Sequence, residues 1–238
     1  MPVLLAARRT EKLAQVADRI RAAGGKAETF SCDVTKPQDN SAMVARCVES
    51  FGGMYAVFAN AGYGLEASVA DCTDAQWREI FETNFFGTLN TIRAALPILT
   101  AQRSGHVFIC SSCLSKIALP YGSAYSATKA AQEHVGRALR IELSGTGVHA
   151  STVHPVGTKT EFFDVANAIS PNGRALTKTP EAYMQSPDVV ARAIVRCLRS
   201  PRPEVWTTWT ARLGFALADV SPRLTDAILR RVVDARRD

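Results

Sequence analysis

The sequence predicts a doubly wound α/β fold on a parallel sheet, and three observations predict it. Short apolar runs alternate with helix-length amphipathic segments along the chain, the pattern of repeated strand–helix–strand units. Several runs are continuously apolar, such as Ala-Val-Phe-Ala at 56–59 and Val-Phe-Ile-Cys at 107–110, as strands covered on both faces require. Finally, 238 residues at 47% hydrophobic and 21% charged suffice for one substantial core, so residues 1–238 read as a single domain.

Residues 3–7 read as a strand and 10–23 as a helix with Leu13, Val16, Ala17 and Ile20 on one side, ended by Gly24-Gly25. The run AETFSCDV is the next strand, followed by a helix over 37–50. MYAVFANAG gives the third strand, 73–102 a long helical pattern, GHVFICSS the fourth strand, 125–143 a helix and VHASTVHP the fifth strand. After Thr160 the text turns loop-rich (NAISPNGRALTKTPEAYMQSP), then gives a helix over 187–198 and a last strand near 204–208. Residues 209–238 read as a helical tail in which Leu224, Ile228 and Val232 form an apolar stripe near Arg230, Arg231, Arg236 and Arg237. The expectation is that this tail docks on its own protein, in preference to peripheral contact with a membrane.

Composition excludes several classes. No apolar stretch reaches the roughly 20 residues that span a bilayer, and Arg8 and Arg9 follow Met1-Pro2 too closely for a signal peptide. A cytoplasmic protein is expected, with its six scattered cysteines reduced. The net charge of +6 is spread without interleaved aromatic residues, so no nucleic-acid partner is predicted. Cys110 and Cys113 lack a second pair, and His106, His134, His149 and His154 show no ligand spacing, so no metal is predicted.

In a sheet of this kind ligands sit beyond the carboxyl ends of the strands, which singles out Arg8, Asp33, Asn60, Ser111-Ser112 and His154-Pro155. Tyr125 and Lys129 fall one helical turn apart on one helix face. A free tyrosine, with a pKa of about 10, is a poor base at neutral pH unless positive charge favours the phenolate, and Lys129 can supply that charge.

Around this pair stand Ser112 at a strand end, Asn60-Ala61-Gly62 after another strand, NFFG at 84–87 and CDVT at 32–35. On these motifs, from residue 3 to about residue 208, the chain resembles the short-chain dehydrogenase/reductase family, with its Rossmann-like sheet. The resemblance implies an oxidoreductase that interconverts an alcohol and a ketone or aldehyde. Tyr125 would exchange the proton, Ser112 would hydrogen-bond the reacting oxygen, and Lys129 would bind the nicotinamide ribose and depress the tyrosine pKa. Asn84 would hold a water linking Lys129 to solvent. Cofactor contacts would come from Asp33 and Val34 at the adenine, from Asn60, Ala61 and Gly62, and from Pro155, Val156, Thr158 and Thr160 after the fifth strand.

Arg8 and Arg9 stand where such a fold chooses its cofactor, with no carboxylate beside them, so NADP(H) is expected over a still possible NAD(H). Family pairing through the helices at 75–102 and 125–143 implies a homo-oligomer, a dimer or tetramer. The substrate pocket would draw on 161–200 and the carboxyl end, where Phe162, Phe163, Tyr183, Trp206 and Trp209 fit an apolar ligand.

Two departures accompany the resemblance. The family's first strand and glycine-rich turn have no counterpart before Val3, so the centre of the sheet is expected to be open and Met1 to be an internal methionine of a longer family sequence. After the fifth strand, Pro155-Val156-Gly157 stands where Pro-Gly is usual. The alternative reading is a catalytically silent Rossmann-like binding or assembly protein.

Overall fold

The computed structural model of the protein describes residues 1–170, 181 and 184–234. Six parallel strands alternate with helices: β1 (Val3–Ala7), α1 (Thr10–Ala22), β2 (Ala27–Ser31), α2 (Pro37–Phe51), β3 (Ala56–Ala59), α3 (Asp74–Phe81), α4 (Gly87–Gln102), β4 (Gly105–Cys110), α5 (Ser123–Glu142), β5 (Val148–His154), α6 (Phe162–Ile169), α7 (Pro187–Arg199), β6 (Glu204–Trp206), α8 (Trp209–Val220) and α9 (Pro222–Asp234).

The helix ends follow local chemistry. Pro37 opens α2, where its missing N–H costs nothing, and Gly52 closes it with φ +74°. Thr73 and Gln76 cap α3 reciprocally.

The strands form two sheets, β1–β2 and β3–β4–β5–β6. One edge of β1 and one edge of β3 therefore have no strand partner among the described residues, and the apolar side chains of β1 are only partly buried. In the larger sheet β4 runs beside β5 from Gly105–Val148 to Cys110–Val153. Alternation along β4 sends Val107 and Ile109 into a cluster with Val44, Ile92, Leu99 and Leu139, and Phe108 into a second with Val153, Ala193, Cys197 and Val205. This is why the run is apolar without a break. Gly136 lets α5 settle on the sheet, because a Cβ there would stand 2.3 Å from Cγ2 of Thr152.

Three expectations are corrected. The pattern over 73–102 is not one α-helix: Glu82–Phe86 forms a π-helical turn between α3 and α4. The loop-rich stretch begins later than expected, because residues 162–169 bury Ala166 and form α6. The tail is two helices, since Pro222 follows Ser221 and starts α9.

Candidate active site

Where β4 ends, two adjacent serines diverge. Ser111 donates its hydroxyl to the Lys129 carbonyl at 2.9 Å and so ties the strand to α5. Ser112 leads into a short 3-10 turn (Cys113–Ser115), and its Oγ accepts the Leu114 N–H at 3.1 Å. The Ser112 carbonyl accepts the Ser115 hydroxyl at 2.7 Å and lies 3.1 Å from His154 Nδ1. A carbonyl only accepts, so Nδ1 carries the imidazole proton and Nε2 receives the Thr152 hydroxyl at 2.9 Å.

Tyr125 and Lys129 project from α5 toward this turn. The Lys129 ammonium, 3% exposed as a residue, donates to the Cys110 carbonyl at 2.7 Å and lies 5.5 Å from the centre of the Tyr125 ring. Burial raises the Tyr125 pKa above its ordinary value, with the Cys110 and Cys113 thiols adding to it and a hydrogen bond with the Ser112 side chain opposing it. Lys129 is itself pulled down by burial. The Tyr125 pKa thus stands above its ordinary value and not below it as the resemblance implies, because desolvation of the buried phenolate dominates.

Asn84 is fully buried in the π-helical turn. Its Oδ1 accepts the Tyr63 N–H, and its Nδ2 donates to the Tyr63 carbonyl, both at 2.9 Å, and to Thr128 Oγ1 at 3.1 Å. The turn also turns its main-chain carbonyl toward two further donors, Thr88 Oγ1 at 2.8 Å and Gln132 Nε2 at 2.6 Å. The amide therefore clamps the chain just after Gly62, whose bare Cα packs into the same place. A Cβ on Gly62 would come within 3.0 Å of Asn84 Oδ1 and 3.6 Å of Lys129 Nζ.

The remaining predicted positions lie just beyond the carboxyl ends of β1, β2, β3 and β5. Asn60 and Ala61 are exposed at the end of β3. Asp33 accepts from the N–H and hydroxyl of Thr35, and that hydroxyl first, helped by the Arg8 charge, lowers its pKa. The Val34 carbonyl is gripped by Asn40 and Asn90, each at 3.0 Å. Arg8 is exposed beside Asp33, whereas Arg9 pairs with Glu161 at 2.8 Å and Lys12 binds the same carboxylate.

Beyond β5 the Pro155 carbonyl accepts the Cys113 N–H at 3.2 Å, which joins this loop to the Ser112 turn. Thr158 donates to the Val156 carbonyl at 2.8 Å, and Thr160 Oγ1 accepts the Phe162 N–H at 3.3 Å. Of the aromatic residues read as pocket candidates, Phe162 lies 5.4 Å from the Tyr125 ring, and Phe163 packs on Phe162. Trp206 instead stacks on His154 at 4.6 Å, Trp209 is 75% exposed, and Tyr183 lies outside the described residues.

Sequence reasoning missed a group behind the serine turn. Glu133, His154 and Glu204 bring their ligand atoms within 4.8 Å of one another, and the Lys116 ammonium lies on both carboxylates, supplying the positive charge. It also missed Gln132, although a glutamine one turn beyond Lys129 on a face that otherwise packs is a readable sign of a buried amide. The cysteines of the described residues are free, and burial pushes the Cys113 thiol to about 11, away from thiolate chemistry.

Comparison with known proteins bears on this constellation. A family model described as short chain dehydrogenase matches residues 1–169. An uncharacterized oxidoreductase of Listeria innocua is 32% identical over 201 residues, covering 84% of this chain and 81% of the relative. Among solved structures, an alcohol dehydrogenase from Thermococcus sibiricus complexed with 5-hydroxy-NADP superposes with a TM-score of 0.71 at 26% identity, over 83% of this chain and 80% of that one. A short chain dehydrogenase/reductase from Burkholderia phymatum in complex with NAD shares the fold at a TM-score of 0.83 and 22% identity, over 94% and 86% of the two chains.

Proposed function

The chain belongs to the short-chain dehydrogenase/reductase family, whose members are NAD(P)-dependent oxidoreductases, and on that premise we propose that it interconverts an alcohol and a ketone or aldehyde, with NADP(H) preferred. The observation that carries the proposal is the convergence of the Ser112 hydroxyl, the Tyr125 phenol and the Lys129 ammonium beyond the end of β4.

Each group's partners set its part. Ser112 Oγ accepts from Leu114 and its hydroxyl is hydrogen-bonded beside the Tyr125 phenol, so a substrate oxygen entering there would take the place of the phenol as the acceptor of its proton. Burial keeps the Tyr125 phenol protonated at neutral pH, the form that delivers a proton to a carbonyl oxygen in the reductive direction. Phe162 against the tyrosine ring favours an apolar group next to the reacting carbon. Asn84 acts through Tyr63 and Gly62 as a positioning residue for the strand-end backbone beside Lys129.

The residues present fit a nicotinamide cofactor. The bare Gly62 leaves an exposed backbone edge with Asn60 and Ala61 against Lys129, and Arg8 offers an exposed guanidinium at the end of β1. When bound, the cofactor supplies the hydride. Lys129 would hold its nicotinamide ribose, Asp33 and Val34 its adenine, Arg8 a 2′-phosphate, and Pro155, Val156, Thr158 and Thr160 its nicotinamide end. The proposal includes a homo-oligomer paired through α4 and α5, where Ile141 is 71% exposed.

The test is reduction of a panel of ketones and aldehydes by the purified protein with each reduced cofactor, read as loss of nicotinamide absorbance. NADPH-dependent turnover of a panel member that disappears in Ser112→Ala is expected. Undiminished turnover in Ser112→Ala, or faster turnover with NADH, overturns the corresponding part of the proposal.

A further inference from the structure

We propose that α8 and α9 form a peripheral docking face for an anionic lipid surface. Helix α8 has two apolar faces. Ala211, Phe215 and Ala218 turn inward, with Phe215 6.2 Å from Trp206, and the Thr225 hydroxyl of α9 donates to the Ala218 carbonyl at 2.7 Å. On the opposite side Trp209, Leu213, Leu217 and Val220, spaced by four, four and three residues, are 75%, 50%, 60% and 82% exposed. Leu224 and Ile228 on α9 add apolar surface at 61% and 55% exposure. A contiguous apolar stripe of this length on a soluble surface marks a contact with something else. The expectation that the tail docks on its own protein thus accounts for only one side of α8.

Charge selects the occupant. Residues 192–238 hold ten arginines against five acidic side chains, so nearly all of the chain's net charge of +6 lies in its last fifth. Arg192, Arg196 and Arg199 are exposed on α7, which packs on β6 as α8 does. Arg223, Arg230 and Arg231 are exposed on α9 and form no ion pair among the described residues, while Arg212 is drawn to Glu204 at 3.7 Å. A second copy docked by twofold symmetry would set this same basic surface against itself. An anionic lipid surface takes the arginines at its headgroups and the Trp209 stripe at the acyl boundary, the arrangement of an interfacial helix. No helix among the described residues is long and apolar enough to cross a membrane, so the contact is peripheral.

Flotation of the full chain with vesicles of phosphatidylcholine alone, and of phosphatidylcholine mixed with phosphatidylglycerol, tests this. Binding to the mixed vesicles is expected, weakened by salt, with a blue shift of tryptophan emission that Trp209→Phe removes. The joint change Leu213→Glu and Leu217→Glu should abolish flotation, and charge reversal of Arg223, Arg230 and Arg231 should weaken it by about a hundredfold or more, at about fivefold per arginine lost. Both sets lie outside the site beyond β4, so oxidoreductase turnover and thermal unfolding should match wild type, which separates lost binding from lost folding. Failure of the wild-type chain to float with the mixed vesicles overturns the proposal. So does a dimer by light scattering that Leu213→Glu dissolves while flotation stays absent, which would make the face a self-interface.

Discussion

Around the proposed proton-handling site the buried polar groups are held by named partners: Ser112 by Leu114, Lys129 by Cys110, and Asn84 by Tyr63 and Thr128. Beyond β1 the two arginines proposed to choose the cofactor, Arg8 and Arg9, stand in solvent, next to a two-stranded sheet of their own. The first region works through geometry fixed by burial, where losing an atom leaves its partners unsatisfied. The second works through long side chains and charge, where substitutions shift preference and leave the fold alone.

The sharpest test of the buried side is Tyr125→Phe, which removes only the oxygen proposed to transfer the proton and should lower turnover by about 10²- to 10⁴-fold with cofactor affinity kept. Steady-state rates with a cofactor titration would show it, and a rate near wild type would break the assignment. On the exposed side, Arg8→Asp should reduce the preference for NADP(H) over NAD(H) by about tenfold to a thousandfold, since charge-assisted bonds to a phosphate are worth roughly 1.5–3 kcal/mol each. Specificity constants for both cofactors decide it; equal losses for the two would place Arg8 outside cofactor choice.

Asn84→Ala brings the comparison to stability. It strands the Tyr63 N–H and carbonyl, so unfolding in urea should occur with about 1–3 kcal/mol less free energy. An unchanged midpoint would mean that water replaces the amide. The smallest effect belongs to Glu161. Lys12 foremost and then Arg9 hold its carboxyl at about 2, against 4.5 for a free glutamate, so the ion trio's contribution is present above pH 4.5 and lost as the pH falls toward 2. Glu161→Gln should flatten that acid limb and, by freeing Arg9, change NADP(H) affinity only about twofold. A large loss of affinity would show that Arg9 needs the pairing.

Much of the buried region was legible in the sequence because its chemistry is carried by residue types at fixed spacing. Ser112, Tyr125 and Lys129 lie on one strand end and one helix, so reading the elements placed them together. What stayed hidden depended on tertiary burial. The rise of the Tyr125 pKa comes from desolvation that no spacing reports. The pairing of Arg9 with Glu161 joins residues 152 positions apart, which left Arg8 and Arg9 looking equivalent. Lys116, Glu133 and Glu204 carry no shared signal in the sequence because each sits on a different element, and only the packed sheet brings them behind His154.

The π-helical turn at Glu82–Phe86 sets a phase between two helices. An α-helix advances about 100° per residue, and a π turn is one residue of slack inserted into that rotation. Deleting a single residue from 82–86 would return the segment to regular α-helix and swing α3 by about that angle relative to α4. Ile80, now fully buried in the cluster that includes Leu65, Ala124 and Tyr125, would be carried off its seat. The stretch is therefore a spacer with one permitted length, where a conservative replacement is absorbed locally and a one-residue indel is felt at the tyrosine.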